Sequence, residues 1–398
     1  MRILVISQYY YPENFRINDI CEELVLRGHQ VTVLTGLPNY PEGYVPKDYR
    51  YGRKHRETIN GVEVLRCFEI GRRTGGFWRA LNYFSFMFSG AFCALWLPKD
   101  AFDVIYGYAP SPIMQMLAAL VYKKRSGKKI VFYSIDVWPA ALKAGISGEG
   151  LIFRLIKRLS KKIYQESDCI HITSEPFIDY IHDTHDIPYE RITYVPQHAE
   201  DIYLSEDFTS IENGCADFLF AGNIGAAQDM ECIVDACIQL KDLSGWKMHI
   251  VGDGSYLSVT QEMVHINDME SFFAFYGRLP ISEMPAFYKM ADVCMLTLKH
   301  DNETGLTLPA KLQSYMAAGK PVIGAIDGSA QDVIKESDCG VCVDAGDSEA
   351  LASAMRDFIL QPQRYAQCGQ NGKAYFSHHF TKKIYMEKLL EALERAVL

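Results

Sequence analysis

The sequence predicts two doubly wound α/β domains in tandem, each a parallel sheet covered on both faces by helices. Three observations lead there. The chain has 398 residues, more than one ordinary core holds, so two domains are expected. Short apolar runs alternate with stretches of helical spacing, which is the pattern of βαβ units. The same alternation then starts afresh near residue 216.

In order, residues 2–7 (RILVIS) read as the first strand, 18–27 (NDICEELVLR) as a helix stopped by Gly28, and 30–35 (QVTVLT) as the second strand. Further strands are expected at 62–68, 103–107, 129–134 and 169–173, and in the second cycle at 217–221, 247–252, 272–276, 292–297, 321–325 and 340–343. Continuous apolar runs of this kind suit strands buried on both faces. Ligands of such folds bind outside the carboxyl ends of the strands, so a crevice between the two sheets is the expected site. The join lies in the polar stretch 194–212, which contains Pro196. The expected domains are therefore 1–200 and 201–374. Helices over 375–398, apolar at Tyr385, Leu389, Leu390, Leu393 and Val397, are expected to pack back on the first domain.

Hydrophobic residues make up 48% and charged residues 22%, the balance of a folded globular protein and not of a disordered one. The net charge of -9 is unevenly spread. Residues 1–200 hold 25 Lys and Arg against 21 Asp and Glu (+4), and the remainder hold 15 against 28 (-13). A mildly basic front half suits an anionic partner, although solvated faces produce the same split. Eleven cysteines fall at irregular positions. One CxxC pair, Cys339 and Cys342, sits in a strand-like run without the second pair a zinc site needs, so no metal is expected. Unpaired thiols in apolar runs suit a cytosolic protein. The start, MRILVISQYYYPE, reads as a strand and not as a signal peptide. Nucleic acid is not an expected partner, since the protein is acidic and its basic stripe lacks interleaved aromatics.

Residues 80–98 (ALNYFSFMFSGAFCALWLP) contain no charge, which reaches the length of a membrane span. Asn82, Ser85 and Ser89 make a polar stripe, and the segment falls where a crossover helix is required. Three readings stay open: a span, a buried helix, or a helix that partly enters the lipid interface. Arg72, Arg73 and Arg79 beside Phe77 and Trp78 have the composition of an interfacial anchor. Residues 151–163 place Arg154, Lys157, Arg158, Lys161 and Lys162 on one helical face, with Leu151, Ile152, Leu155, Ile156, Leu159 and Ile163 on the other. Each cation near an anionic surface contributes about 1 kcal/mol, so five would decide a peripheral association. A solvated face is the plainer alternative.

Phosphate chemistry concentrates in the second half. Gly222-Asn223-Ile224-Gly225 follows a strand and precedes a helical stretch, where backbone N–H groups at a helix start suit anionic oxygens. Gly252-Asp253-Gly254 reads as a turn. In 303–321 (ETGLTLPAKLQSYMAAGKP), the turn of Thr304, Gly305, Leu306, Thr307 and Leu308 leads through Pro309 to Lys311 in the first helical turn, with Gly319 closing the helix. Backbone donors and a lysine there suit a diphosphate, and Glu303 is placed to accept hydroxyls; an exposed surface lysine is the alternative. After another strand, Arg278 and Leu279 suit a phosphate and a base edge, or Arg278 a structural ion pair.

These segments carry a resemblance. YYYPENFRINDICEELVLRGHQVTVLTGLPNYPEG, IDVWPAAL, FAGNIGAAQDME, YGRLP and TLPAKLQSYMAAGKPVIG, in this order over nearly the whole chain, resemble bacterial glycosyltransferase family 4, in particular the subgroup like the O-antigen N-acetyl-fucosaminyl transferases. The resemblance implies the GT-B fold, two Rossmann-like domains facing across a cleft. It implies a UDP-sugar donor in the C-terminal domain, retention of anomeric configuration, no cofactor and no metal. It would place diphosphate contacts on Gly222 to Gly225 and Lys311, and base contacts near Arg278 and Leu279. Asp136 would act from the first domain, and the acceptor side would hold Tyr11, Asn14, Arg16 and Asn39. Two departures stand out. The family's paired glutamates fall on Leu306 and Ser314, and Ala226-Ala227-Gln228 carries no base where relatives steer phosphate.

The expected activity is transfer of a sugar, an N-acetylated hexosamine or deoxyhexosamine, to a lipid-linked or other membrane-surface acceptor in cell-surface polysaccharide assembly. The expected place is the cytoplasmic face of the cell membrane. A non-hydrolysing nucleotide-sugar epimerase and a non-catalytic nucleotide-sugar-binding scaffold share the architecture. A dinucleotide oxidoreductase would need a glycine-rich first turn, and SQYYYPENFR has no glycine.

Overall fold

In the computed structural model, residues 1–143, 150–204, 206–210, 213–299 and 306–398 are described. The chain forms two compact units, Met1–Val195 with Met386–Leu398, and Pro196–Tyr385. The Lys382–Val397 helix begins in the second unit and ends in the first, where Lys388 Nζ donates to the Tyr194 carbonyl at 3.0 Å.

The first unit is built on β1 (Arg2–Ile6), β2 (Gln30–Thr35), β3 (Arg56–Ile59), β4 (Val62–Arg66), β5 (Val104–Ala109), β6 (Ile130–Ser134), β7 (Cys169–Ile172) and β8 (Ile192–Tyr194). They pair in the order β3-β4-β2-β1-β5-β6-β7-β8. The central strands β1 and β5 are buried almost throughout, which is why their sequences run apolar without alternation. Seven strands are parallel, but β3 pairs antiparallel with β4, so the sheet is mixed where an all-parallel one was expected. The short, polar β3 (RETI) lies at the edge, half in solvent; neither it nor the three-residue β8 has an apolar run to announce it. Gly28 does end the first helix, Arg16–Leu26, in the left-handed region at φ +86°.

The second unit holds β9 (Ala216–Ala221), β10 (Trp246–Val251), β11 (Phe273–Gly277), β12 (Val293–Thr297), β13 (Val322–Ala325) and β14 (Gly340–Val343). Their order is β11-β10-β9-β12-β13-β14, all parallel. This is the doubly wound order, and it reverses between β9 and β12. One apolar core lies on each face of the sheet. The switch point thus falls where the 222–225 turn leaves β9.

Candidate active site

Three turns leave the carboxyl ends of β9, β10 and β11 and are laced together. Gly222 N–H donates to the Val251 carbonyl at 2.9 Å, Ile224 N–H to Asp253 at 3.0 Å, Gly252 N–H to Gly277 at 2.8 Å, and Tyr256 N–H to Ile224 at 2.9 Å. The contact is so close that a Cβ on Gly252 would stand 1.8 Å from the Gly222 carbonyl oxygen, and one on Gly254 2.3 Å from that of Ile224. Gly252-Asp253-Gly254 is therefore more than a turn: it is the floor that shapes the 222–225 loop.

The loop does not run straight into a helix, as its sequence suggested. Ala226–Gln228 makes a single 3-10 turn, Asp229 takes φ +50°, and only then does the Met230–Ile238 helix begin. The reason is Gln228, whose side-chain oxygen folds back to accept the Gly225 N–H at 3.0 Å and the Asn223 amide at 3.3 Å. Those two donors are thereby spent inside the loop.

That helix is fixed against β9. The Tyr315 hydroxyl accepts the Ala221 N–H at 3.1 Å, and at the other end Gly319 and Lys320 N–H groups bond back to Met316 and Tyr315, a Schellman cap. Lys311 lies four residues before Tyr315 and so on the same face, beside Gly222, where a Cβ would sit 3.5 Å from the ammonium nitrogen. The nitrogen is buried without a hydrogen-bond partner among the described residues, 3.9 Å from the Phe220 ring centroid. Burial holds Lys311 down to about 7, because lost hydration penalises the charged form. A surface lysine it is not.

The other expected residues fall as follows. Arg278 is exposed beside the Gly277–Gly252 bond. Leu279 is half-buried and packs against the core beneath it. Leu306 and Thr307 are half-buried and Leu308 is buried in that same core. Glu303, Thr304 and Gly305 lie outside the described residues. Two residues that the sequence did not suggest reach the site from far along the chain. Glu200 accepts a hydrogen bond from Ser314 Oγ at 3.3 Å, bringing a carboxylate to one of the positions where relatives carry one. Lys299 N–H bonds the Ala227 carbonyl at 2.9 Å, so a base does stand at the 226–228 turn; its ammonium group meets Glu231 at 2.5 Å.

In the first unit, the loops after β1 and β2 are joined through Glu13, whose carboxylate accepts the Asn39 N–H at 2.7 Å and the Tyr40 N–H at 2.5 Å. Burial raises this carboxyl to about 7. Asn14 is exposed, and Tyr11 and Arg16 are half-buried. Asn39 departs from expectation. It is buried, and its side-chain oxygen accepts from Asn82 at 3.2 Å and from the Arg72 N–H at 3.0 Å, so it anchors the loop and does not line it. Asp136 follows β6, half-buried, and burial lifts its carboxyl to about 7 against a hydrogen bond from Ser111.

The Gly76–Trp96 helix has three faces. Phe86, Met87, Gly90, Ala91 and Ala94 are buried. The polar stripe is spent on the strand exit beside it: Asn82 donates to Glu69 at 2.6 Å and to the Ile70 carbonyl at 2.7 Å, Ser85 accepts the Ile70 N–H at 3.0 Å, and Ser89 donates to the Phe68 carbonyl at 2.5 Å. Phe77, Phe88, Phe92 and Trp96 remain exposed, the last three at 63, 60 and 75%. Among the described residues no helix is long and apolar enough to cross a membrane. Arg79 is exposed, Arg72 half-buried, and Arg73 sits over the Trp78 ring at 4.0 Å.

The Leu151–Glu166 helix corrects a second expectation. Its apolar side is divided: Phe153, Ile156 and Ile163 are buried, whereas Leu151, Ile152 and Leu155 are exposed among Arg154, Lys157 and Arg158. A helical wheel sorts residues by face but not by which neighbour covers them. Lys162 is also exposed, and Lys161 is engaged with Asp186 at 2.5 Å.

Comparison with known proteins agrees with this geometry. Residues 206–375 match the glycosyl transferases group 1 family, and residues 14–198 the glycosyl transferase 4-like domain. A protein of Escherichia coli named for glycosyl transfer in colanic acid biosynthesis, WcaI, is 26% identical over 392 residues, covering 91% of this chain and 93% of its own. Among solved structures, sucrose-phosphate synthase from Thermosynechococcus elongatus is 14% identical, with 99% of this chain and 98% of that chain covered and a TM-score of 0.76. The Anabaena protein HepE, solved with UDP and glucose, is also 14% identical, with 99% of each chain covered and a TM-score of 0.71. The fold is therefore GT-B, with a segment like the glycosyl transferase 4-like domain in the first unit and one like the glycosyl transferases group 1 in the second.

Proposed function

We propose that this glycosyltransferase moves an N-acetylated hexosamine or deoxyhexosamine from a UDP-sugar to a lipid-linked acceptor at the inner membrane surface, with retention and without a bound metal, in cell-surface polysaccharide assembly. The observation that carries the reading is the buried ammonium group of Lys311 beside Gly222, without a hydrogen-bond partner among the described residues. An unpaired buried cation is costly, and a diphosphate seated on the first turn of its helix supplies the missing charge.

As the sugar–phosphate bond breaks, negative charge grows on the leaving diphosphate. Preorganised donors stabilise that charge more than they stabilise the ground state. Lys311 and the N–H groups at the start of the Ala310–Ala317 helix take this role, with Arg278 at the outer edge. Glu200 with Ser314, and Glu303, take the donor's hydroxyls. The acceptor is held by Tyr11, Asn14 and Arg16 in the first unit, with Asp136 as that unit's catalytic carboxyl. Its proton passes to the leaving phosphate, so no separate base is required. The structure of HepE with UDP and glucose favours uridine, and the colanic acid relative favours polysaccharide assembly. The exposed aromatic stripe of Gly76–Trp96 and the cations of Leu151–Glu166 favour a membrane-surface acceptor.

A thermal-shift series with UDP-, GDP- and ADP-sugars tests the donor, since a ligand that binds only the folded state raises its apparent stability. UDP-sugars are expected to stabilise most. Equal shifts from all three, or none, would remove the reading. Release of UDP that depends on a membrane extract separates transfer from epimerisation, which releases none.

A further inference from the structure

A concave site also lies within the first unit. It is a pocket of about 380 Å³ between the 45–55 segment and the exit of β4. Arg50, Arg53, His55 and Arg66 line it together with Leu37, Val45 and Phe68. Arg66 is buried and already satisfied by Glu57 at 2.7 Å and the Tyr11 carbonyl at 2.6 Å. Arg50 and Arg53 are exposed and have no acidic partner among the described residues. Glu69 also lines the pocket, with one carboxyl oxygen buried and partnerless. Burial pushes that carboxyl well above the usual carboxylate range.

The surroundings give the pocket a direction. On one side, the Phe68 carbonyl is bonded to Ser89, which lies between the exposed Phe88 and Phe92. On the other, Leu37 is two residues from Asn39, in the loop that Glu13 holds beside Asn14 and Arg16. An aromatic helix face, a cationic pocket and a polar loop thus adjoin within a single unit. A lipid-linked sugar offers an apolar chain, a phosphate and a sugar.

We infer that this pocket binds the phosphate or diphosphate of an amphipathic ligand, the group that joins the acceptor's sugar to its lipid chain. The inference rests on the lipid-linked acceptor proposed above, and it names the part of that acceptor which the arginines recognise. Paired guanidinium groups suit phosphate oxygens through charge-assisted, bidentate bonds.

The test uses the full chain with saturating UDP, which keeps the donor site occupied. Farnesyl diphosphate, inorganic pyrophosphate and farnesol are titrated by calorimetry. Farnesyl diphosphate is expected to bind at least tenfold more tightly than either of the others. Arg53→Ala is expected to weaken it about tenfold, the loss usual for one charge-assisted bond, and Arg50→Ala with Arg53→Ala more. Unchanged UDP affinity and thermal unfolding in both variants show that the fold is intact. Farnesyl diphosphate binding that ignores both substitutions would overturn the assignment, as would pyrophosphate binding equally well. Vesicles of phosphatidylglycerol that displace farnesyl diphosphate, where phosphatidylcholine vesicles do not, would give the pocket to bulk lipid headgroups and likewise overturn it. If UDP fails to bind while farnesyl diphosphate binds through Arg53, the pocket stands and the donor reading alone falls.

Discussion

The ammonium nitrogen of Lys311 lies 3.9 Å from the centroid of the Phe220 ring and has no hydrogen-bond partner among the described residues. A buried cation in that setting costs the ligand-free protein stability and repays it only when an anion arrives. Two opposite effects of substitution follow. Lys311→Ala is expected to lower turnover by about two to three orders of magnitude, as loss of one oxyanion donor does. Lys311→Met, which keeps the length and removes the charge, is expected to raise the melting temperature of the ligand-free protein while abolishing its further rise with UDP. Steady-state kinetics and thermal unfolding check both. Wild-type turnover in the alanine variant would remove Lys311 from the mechanism.

Gly252 is the second lever, because it touches the loop and not the ligand. At φ +147°, with a Cβ that would stand 1.8 Å from the Gly222 carbonyl, alanine there forces the 222–225 turn to move. Gly252→Ala is expected to weaken UDP binding tenfold or more and to destabilise the second unit by about 1–3 kcal/mol, the range for strained backbone. Gly346→Ala, also at positive φ (+80°) but with only the Asp229 carboxylate at 4.0 Å, is the control for backbone strain alone. Equal loss of UDP affinity in both would show that the lacing of the turns is irrelevant to the ligand.

Much of this was legible in the sequence, and what was not shares a physical cause. Buried parallel strands announce themselves through unbroken apolar runs such as those of β1 and β9, and the 222–225 turn through its glycines. Lys311 and Gly319 mark the start and end of one helix, with the side chain and the cap falling where local spacing puts them. Glu200, however, meets Ser314 across 114 positions of sequence, and Lys299 comes to the 226–228 turn from the far end of β12. Nothing local in either residue signals such a meeting. Gly252 looked like an ordinary turn residue because its reason for being glycine is a carbonyl on another strand's loop. The apolar side of Leu151–Glu166 was visible, but the division of that side between core and surface depends on neighbours that periodicity does not reveal.

The Gly76–Trp96 helix separates packing from surface function. Asn82 satisfies Glu69, the Ile70 carbonyl and Asn39 from a buried position, so Asn82→Leu is expected to destabilise the first unit by about 1–3 kcal/mol for each acceptor left buried and unpaired. Phe88→Ser with Phe92→Ser, on the exposed stripe, is expected to change stability by less than about 0.5 kcal/mol per site but to reduce co-sedimentation with anionic vesicles severalfold. Arg154→Glu with Lys157→Glu is expected to reduce it further, and raised salt to mimic that loss. Vesicle binding that survives all four substitutions would place the membrane contact elsewhere.

The two units are expected to respond to pH in opposite directions. In the first, burial raises Glu13 and Asp136 to about 7, whereas both would titrate near ~4 in an unfolded chain. Between those values the folded unit holds more protons than the unfolded chain, so its stability falls as pH rises. The contribution is complete below about pH 4 and gone above about pH 7. In the second unit Lys311 is lowered to about 7 from ~10.4 unfolded. There the unfolded chain holds the extra proton, and stability rises across that window. Amide hydrogen exchange, resolved by peptide and corrected for intrinsic rate, reads each unit separately. Protection of the first unit is expected to fall from pH 6.5 to 7.5, above the range in which His171 and His185, lowered by burial to about 3 and about 4, oppose the trend, with Glu13→Gln removing part of the slope, since glutamine still accepts from Asn39 and Tyr40. Protection of the second is expected to grow from pH 7.5 to 9.5 and to become flat in Lys311→Met. A slope of the same sign in both units would contradict the burial of these groups.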